Sequence, residues 1–341
     1  MPMRVSLITP CRNEAPYIEG FLDSALSQAL PAGWAMELIV ADGTSDDGTR
    51  ERLQARAAAD ARLQVVDNPA GHTAGGLNRA LRAATGDVVV RLDVHTTYAE
   101  DYVQRCVEAL DASGATCVGG PWRPWVGEGR ATAIALAWAS PFGSGGAPSR
   151  RVEHRGPVDT VYLGAWRRAE LLRLGGFDEA LLRTEDDDLS LRIVRGGGVV
   201  WQEPAIRSWY RPRGTFTALA AQMYQYGYWK VPLIRKHRLP ASPRHLVPGL
   251  FVLGLVALAL GGLWDTRLAV AAVALLALHA GVALAAAGTL VRPWQSPARW
   301  VGIAWATVCM HGAYGAGFLH GVIDAVVRRG RAGRAATRLT R

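Results

Sequence analysis

Residues 37–49, ELIVADGTSDDGT, indicate the fold most directly. The run Glu37–Ala41 is mostly apolar, with β-branched Ile39 and Val40, as a buried strand is, and it stops at Asp42–Gly43. The serine, aspartate and threonine residues that follow are types that begin helices. A buried strand that leads directly into a helix is the repeating unit of a parallel α/β sheet.

The same alternation recurs through residues 1–215. Further strands are predicted at Val5–Thr9, Leu63–Val66, Val88–Leu92 and Thr116–Val118. Helices are predicted at Ile18–Leu26, from the residues after Gly43 to about Ala59, at Gly75–Ala84 and at Glu100–Leu110. This spacing predicts an α/β domain with a mostly parallel sheet and helices on both faces. Ligands of such sheets bind beyond the carboxyl ends of the strands, where Asp42, Asp93 and His95 fall.

Charged and apolar residues are unevenly distributed along the 341 residues, whose net charge is +9. Residues 246–327 contain almost no Lys, Asp or Glu, and six arginines follow them. Next to apolar segments, a basic tail favours anionic lipid over nucleic acid as its partner. The four cysteines lack metal spacing, which is typical of core residues in a reducing compartment. No signal peptide is recognised, so the first 240 residues are expected in the cytoplasm.

Two segments are long enough to cross a membrane, Leu246–Trp264 and Leu268–Val291. A third, Trp300–Val327, contains two histidines and Asp324, and it either spans once or is re-entrant or interfacial. We expect the arginine-rich tail on the cytoplasmic side. The predicted organisation is a catalytic domain at 1–215, an interfacial amphipathic helix and linker at 216–244, a membrane domain of two or three hydrophobic segments at 245–328, and a basic tail at 329–341.

Four consecutive acids follow Thr184, at Glu185–Asp188. One interpretation is a solvated helix start, with Thr184 as N-cap and arginines near the other end. The other is a site in which one carboxylate acts as a base. Residues two apart point about 200° apart on a helix, so Asp186 and Asp188 cannot both face one substrate.

Asp93 and His95 lie two residues apart after a predicted strand. Both can face one cation, and that cation can bridge a diphosphate. The alternative is an ordinary surface pair or cap. The glycine-rich residues 71–76 lack G-x-G-x-x-G spacing, and no Walker lysine motif is present, which excludes the usual dinucleotide and P-loop readings.

In combination, these motifs resemble the family 2 glycosyltransferases, which have the GT-A fold, a Rossmann-like nucleotide-diphospho-sugar transferase fold. The matching stretches are SLITPCRNE (6–14), IVADGTSDDGT (39–49), GGLN (75–78), the segment 86–95, VYLGAWRR (161–168), GGFDE (175–179) and Thr184–Asp186. The order of soluble half, interface helix and apolar segments resembles the membrane-anchored exopolysaccharide glucosyltransferases of the succinoglycan type.

The resemblance implies an inverting, metal-dependent enzyme that uses a nucleotide-diphosphate sugar, most often a UDP-sugar. By position, it implies that Thr9, Glu14 and Asp42 contact the nucleoside and that Asp93 contacts the ribose and the diphosphate. It implies that Asp93 and His95 bind the metal. It also implies that Asp186 is the general base, with Glu185 and Asp188 as supporting acids. Histidine in place of the last D-x-D carboxylate favours Mn²⁺ over Mg²⁺.

Processive members carry a Q-x-x-R-W motif, and here Gln225–Trp229 has Tyr228 at the arginine position. Arg211 and Arg213 are candidates to supply the missing positive charge to the diphosphate. The alternative is that Gln225–Trp229 belongs to an aromatic amphipathic helix on the bilayer surface.

The resemblance thus implies transfer of a hexose, expected to be glucose, to a lipid-linked glycan in exopolysaccharide synthesis. The expected place is the bacterial inner membrane, with several spans, a cytoplasmic catalytic domain and no nucleic-acid partner. Three alternatives are a polyprenyl-phosphate glycosyltransferase, a sugar nucleotidyltransferase, and a non-catalytic membrane scaffold with a degenerate nucleotide-binding fold.

Overall fold

The computed structural model describes residues 3–127, 129–240 and 242–327. The chain divides into two compact units. The first comprises Met1–Arg123 and Pro148–Arg211, and the second comprises Pro124–Ala147 and Pro212–Arg341. The predicted basic tail at 329–341 lies outside the described residues.

Within the described residues, the first unit contains ten strands. They are β1 (Met3–Cys11), β2 (Trp34–Asp42), β3 (Leu63–Asp67), β4 (Val88–Arg91), β5 (Thr96–Tyr98), β6 (Cys117–Gly120), β7 (Gly156–Pro157), β8 (Tyr162–Arg167), β9 (Val200–Gln202) and β10 (Ser208–Tyr210). Eight of them form one sheet in the order β3-β2-β1-β4-β8-β6-β9-β7, and β5 pairs with β10 separately.

The helices are α1 (Ile18–Leu26), α2 (Thr49–Ala59), α3 (Thr73–Ala83), α4 (Tyr102–Ser113), α5 (Gly129–Ala139), α6 (Pro141–Ser144), α7 (Arg168–Arg173), α8 (Glu185–Arg195), α9 (Phe216–His237), α10 (Val247–Gly261), α11 (Thr266–Gly288) and α12 (Pro297–Val327). The first unit holds α1–α4, α7 and α8, and the second holds the others.

The mostly parallel sheet is confirmed. Strands β1, β2, β3 and β4 are parallel neighbours, as are β6 and β9. Strand β8 lies between β4 and β6 and runs antiparallel to both. The sequence did not predict β8 as a strand, because its six residues contain a glycine and no regular alternation. Its consequence is that the carboxyl end of β4 borders a reversed strand.

Two apolar layers cover the sheet, as predicted for helices on both faces. One layer joins the sheet to α1, α2 and α4, with Phe21 and Tyr102 almost completely buried. The other joins it to α3 and α8, with Leu77 and Leu189 buried. Burial of each such side chain contributes about 1.5–3 kcal/mol. Close packing of α3 on β1 requires Gly76, because a Cβ there would lie 2.8 Å from Cβ of Pro10.

The second unit is helical. By length and composition, two of its described helical segments are apolar enough to cross a membrane, Pro243–Gly261 and Thr266–Gly288. Residues Pro297–Val327 form one continuous helix, so the third predicted segment contains no re-entrant break. It packs closely on α9, where a Cβ on Gly317 would overlap the carbonyl oxygen of Tyr224.

Polar side chains of α12 have partners in neighbouring helices. The carboxylate of Asp324 accepts a 2.9 Å hydrogen bond from the Tyr228 hydroxyl and lies 3.5 Å from Nε2 of His320. Nδ1 of His311 lies 3.0 Å from Nε2 of His279. The sequence left open whether His311 and His320 mark a function or a protein-buried face, and their contacts favour the buried face.

Candidate active site

Two loops beyond the carboxyl ends of β1 and β2 are bound together. Asn13 has a left-handed backbone with φ 54°, which asparagine tolerates better than most residues. Its amide nitrogen Nδ2 donates to Oδ1 of Asp46 at 2.6 Å, and its oxygen accepts from the Asp46 N–H at 2.9 Å. The backbone N–H of Glu14 donates to Thr49 at 2.7 Å. These contacts fix Glu14 at the sheet edge.

Thr9 and Asp42 lie at this edge but are completely buried. The Asp42 carboxylate accepts hydrogen bonds from the Ser45 hydroxyl at 2.6 Å and from Arg50 Nη1 at 3.0 Å. Arg50 also binds Asp67 at 2.7 Å. In this structure Asp42 therefore shapes the loop, and its nucleoside contact stays a prediction, as does that of Thr9.

Glu14, Asp93 and His95 come together beyond β4. Nε2 of His95 lies 3.1 Å from Glu14 Oε2, and Nδ1 lies 3.6 Å from Asp93 Oδ1. The hydroxyl of Tyr98 accepts from the Asp93 N–H at 2.7 Å and donates to the Asp93 carbonyl at 3.0 Å, which fixes this turn. The ring of Tyr17 lies beside the imidazole, with centroids 5.0 Å apart.

The charges in this cluster depend on one another. Burial alone would lower the pKa of His95, but hydrogen bonds and charge interactions with Asp93 and Glu14 raise it to about 10. Burial alone would raise the pKa of Asp93, but its contacts with His95 lower it overall. These contacts therefore favour a protonated imidazole between the two carboxylates.

The donor set fits a divalent cation that substrate oxygens help to hold. Within residues 3–127, 129–240 and 242–327, no group of three or more His, Cys, Asp or Glu side chains forms a complete metal cage. Mg²⁺ and similar ions in phosphate-transfer sites commonly use one or two protein ligands plus substrate phosphates. Asp93 and His95, both partly exposed, match that pattern once the imidazole loses its proton.

The acidic run begins α8, and its four carboxylates have different surroundings. Glu185 is buried and accepts a 2.8 Å hydrogen bond from Arg91. Asp188 is completely buried and accepts from Arg192 at 2.8 Å. Asp186 is partly exposed in the first turn. Of the two acids predicted to compete, the structure commits Asp188 to an internal ion pair.

Thr184 does not cap α8 as predicted. Its backbone is left-handed, with φ 68°, and its side chain makes no capping hydrogen bond to the helix. The hydroxyl instead donates to the carbonyl of Arg183. The N-cap preference assumes an extended backbone at this residue, and the tight entry into α8 does not provide one.

The electrostatic environment of Asp186 suits a base. Burial and the charges of Asp187 and Glu185 raise its pKa to about 6, while Arg91 acts in the opposite direction. A carboxylate with this pKa is ionised at neutral pH and holds a proton more strongly than an ordinary aspartate. This combination is what acceptance of a hydroxyl proton requires.

Arg211 and Arg213 fall in different units. The backbone N–H of Arg211 donates to the carbonyl of His95 at 2.9 Å, which brings Arg211 to the Asp93–His95 turn. Arg213 belongs to the second unit. Gln225, Tyr228 and Trp229 lie in α9 with their side chains buried. Their burial disfavours the alternative in which these three side chains lie on the bilayer surface.

Sequence reasoning missed Arg91, which is buried on β4 and paired with Glu185. A charged residue within the apolar run VVVRL was the available signal, because arginine is almost never fully buried unless paired. It also missed Tyr98 and Tyr162, whose hydroxyls bind the Asp93 turn and Thr96 respectively.

Comparison with known proteins accounts for this arrangement. Residues 6–161 match the model of glycosyl transferase family 2. Over that stretch, the chain is similar to members of this family. The match begins within β1 and extends through β7, so it includes Glu14, Asp93 and His95, whereas Asp186 lies beyond it.

Similar proteins extend the likeness beyond that stretch. The succinoglycan biosynthesis protein ExoA of Rhizobium meliloti (strain 1021) is 29% identical over 325 residues, covering 93% of this chain and 94% of that protein. A dolichyl N-acetyl-alpha-D-glucosaminyl phosphate 3-beta-D-2,3-diacetamido-2,3-dideoxy-beta-D-glucuronosyltransferase of Methanococcus voltae is 24% identical over 246 residues, covering 68% of this chain and 74% of that protein.

Solved structures establish the GT-A fold. The mannosyltransferase PcManGT from Pyrobaculum calidifontis, in complex with GDP-Man and Mn²⁺, superposes with a TM-score of 0.60 at 24% identity, covering 94% of this chain and 88% of that chain. TarS 1-349 of S. aureus, in complex with UDP-GlcNAc, gives a TM-score of 0.51 at 15% identity, covering 92% and 90%.

Proposed function

We propose that this glycosyltransferase transfers a hexose from a nucleotide-diphosphate sugar to a hydroxyl of a lipid-linked glycan, with inversion, in exopolysaccharide synthesis. UDP-glucose is the first candidate donor. The observation that carries the proposal is the partly exposed Asp186, whose pKa of about 6 is set by burial and two neighbouring acids. A base of this kind is needed for a hydroxyl acceptor.

The proposed reaction is a single displacement. The acceptor hydroxyl oxygen attacks the anomeric carbon, and the bond from that carbon to the diphosphate oxygen breaks. The hydroxyl proton passes to the Asp186 carboxylate, and the nucleoside diphosphate leaves. A bound divalent cation would neutralise charge on the diphosphate. Asp93 and His95 would hold that cation, and Glu14 would orient His95 across the 3.1 Å contact.

The comparisons support the chemical classes of the substrates. Complexes of neighbouring structures contain GDP-Man or UDP-GlcNAc, and one also contains Mn²⁺. The Methanococcus voltae relative acts, by its name, on a dolichyl-linked sugar phosphate, which is a lipid-linked sugar acceptor. The ExoA relative belongs, by its name, to succinoglycan biosynthesis. For this chain, these classes are proposals.

The proposed setting is the inner membrane, with a cytoplasmic catalytic domain at 1–215 and an interfacial segment at 216–244. The two apolar helices support membrane association. Protease protection of a C-terminal tag would test the predicted cytoplasmic position of the tail. Digestion of the tag in sealed inverted vesicles is expected, and protection there would contradict this topology.

A donor panel tests the function. Purified protein is incubated with UDP- and GDP-sugars, Mn²⁺ and bacterial lipid extract, and the products are identified by mass spectrometry. We expect a mass increase of one hexose on a lipid-linked glycan. Transfer to polyprenyl phosphate would instead support the alternative acceptor, because a phosphate oxygen needs no base. Absence of any hydrolysis or transfer would favour the non-catalytic scaffold.

A further inference from the structure

Arg91 connects the two acidic parts of the active site. It is the last residue of β4, two positions before Asp93, and only 9% of its surface is exposed. Its Nη2 donates to Oε1 of Glu185 at 2.8 Å, and Glu185 is itself 6% exposed. A buried ion pair of this kind holds its two elements in one relative position, here β4 and the start of α8.

The remaining donors of Arg91 are not used by the protein. A guanidinium has five N–H donors in a fixed planar arrangement. Among the residues that the structure describes, Nε and Nη1 of Arg91 are buried and have no hydrogen-bond partner. Buried donors are nearly always paired with protein, water or ligand. Two unpaired donors on one buried side chain therefore indicate a place where another molecule supplies oxygen atoms.

The surroundings of Arg91 indicate which oxygen atoms these are. Its charge interacts with Glu185, Asp186 and Asp93, so the group lies within range of both the proposed base and the proposed diphosphate side. Three carboxylates already balance its positive charge. A neutral hydroxyl fits such a place better than a further anion, because its oxygen accepts from the guanidinium and its proton can be donated to a carboxylate.

We propose that Arg91 binds the transferred sugar, with Nε–H and Nη1–H donating to hydroxyl oxygen atoms of the donor hexose. This inference rests on the proposed function, in which the hexose lies between the diphosphate at Asp93 and the base Asp186. The ring of Phe177, 5.9 Å from the Arg91 guanidinium carbon, limits its movement. Arg91 would then determine which sugars the enzyme accepts.

The test compares binding of whole donors with binding of their nucleotides. Dissociation constants of UDP, UDP-glucose, GDP and GDP-mannose are measured by calorimetry with Mn²⁺ for the unchanged protein and Arg91→Lys. Lysine keeps a positive charge for Glu185 but lacks the planar donor set. We expect Arg91→Lys to weaken binding of the accepted nucleotide sugar by roughly tenfold to hundredfold, the range for a hydrogen bond to a charged group. Binding of the free nucleoside diphosphate should be unchanged.

Two further variants make the result interpretable. Arg105→Lys, in a partly exposed ion pair with Asp101, is the matched control and should bind both ligand types normally. If Arg91→Lys fails to fold, Arg91→Gln combined with Glu185→Gln removes both buried charges and is compared in the same way. A monodeoxy donor that lacks the recognised hydroxyl should bind the unchanged protein and Arg91→Lys equally.

The outcomes separate this inference from the function itself. Equal weakening of nucleoside diphosphate and nucleotide sugar would show that Arg91 acts only through the fold and would overturn the inference. Retention of the full preference for nucleotide sugar over nucleoside diphosphate in the variant would do the same. Failure of the unchanged protein to bind any nucleotide sugar would overturn the proposed function as well.

Discussion

The role of Asp186 predicts a specific pH dependence of transfer. A base must be ionised to accept the hydroxyl proton, and the pKa of Asp186 is about 6. The ionised fraction is then about 90% at pH 7 and about 10% at pH 5. We expect kcat/KM for the acceptor to fall roughly tenfold between these values, since this quantity reports the pKa of the enzyme before the acceptor binds. Between pH 7 and pH 5, the transfer rate should therefore decrease as the pH is lowered.

Substitutions at two adjacent positions separate the base from its charge. Asp186→Asn should lower the transfer rate by about 10²- to 10⁴-fold, the usual contribution of a general base, while UDP binding is retained. Asp187→Asn removes the same charge one residue away. Because the Asp187 charge raises the pKa of Asp186, this variant should keep its activity at pH 7 and lose it at a lower pH than the unchanged protein.

The assay is transfer of labelled hexose to lipid extract from pH 4.5 to 8 at saturating Mn²⁺ and donor. Calorimetric UDP binding at pH 5 controls for unfolding and loss of the cation. A rate that is equal at pH 5 and pH 7 would refute the role of Asp186, and so would near-full activity of Asp186→Asn. The second result would also favour a phosphate acceptor, which requires no base.

Three further predictions concern other parts of the chain. Asp188→Asn should lower the free energy of unfolding by about 3 kcal/mol, because Arg192 loses its buried partner. Thermal unfolding measures this change, and an unchanged stability would contradict the prediction. His95→Asp replaces an imidazole with an oxygen ligand and should raise the ratio of Mg²⁺- to Mn²⁺-supported activity, whereas a constant ratio would exclude His95 from the metal site. Gly317→Val should prevent close packing of α12 on α9 and so reduce the fraction of monodisperse protein in size-exclusion chromatography. Gly281 has open space around it, so Gly281→Val should leave that fraction unchanged. Equal behaviour of the two variants would contradict the close contact.

The parallel part of the sheet was predictable because its determinants are local. Strands β1 and β2 are continuous apolar runs that end at polar residues, and this pattern depends on no distant contact. Strand β8 is different, since its residues Tyr162–Arg167 form a strand by pairing with segments more than 40 positions away. Long-range pairing of this kind leaves little trace in local composition.

The same distinction applies to the site. Asp93 and His95 were predictable, because both follow a strand end and so reach the sheet edge. The pairing of Arg91 with Glu185 joins positions 94 residues apart, and no local pattern encodes it. The burial of Asp42 was also hidden, because its partners Ser45 and Arg50 turn back onto it only in the folded loop.

The acidic run now has a physical explanation that joins its two initial interpretations. Four adjacent carboxylates repel one another, and the fold neutralises two of them with arginines, the buried Arg91 at Glu185 and the partly exposed Arg192 at Asp188. Asp186 forms no such ion pair in the described residues, and burial together with the repulsion that remains raises its pKa. The neighbouring acids are therefore more than a helix start. They make one aspartate a stronger base than it would be alone, and Arg91 limits the rise in its pKa.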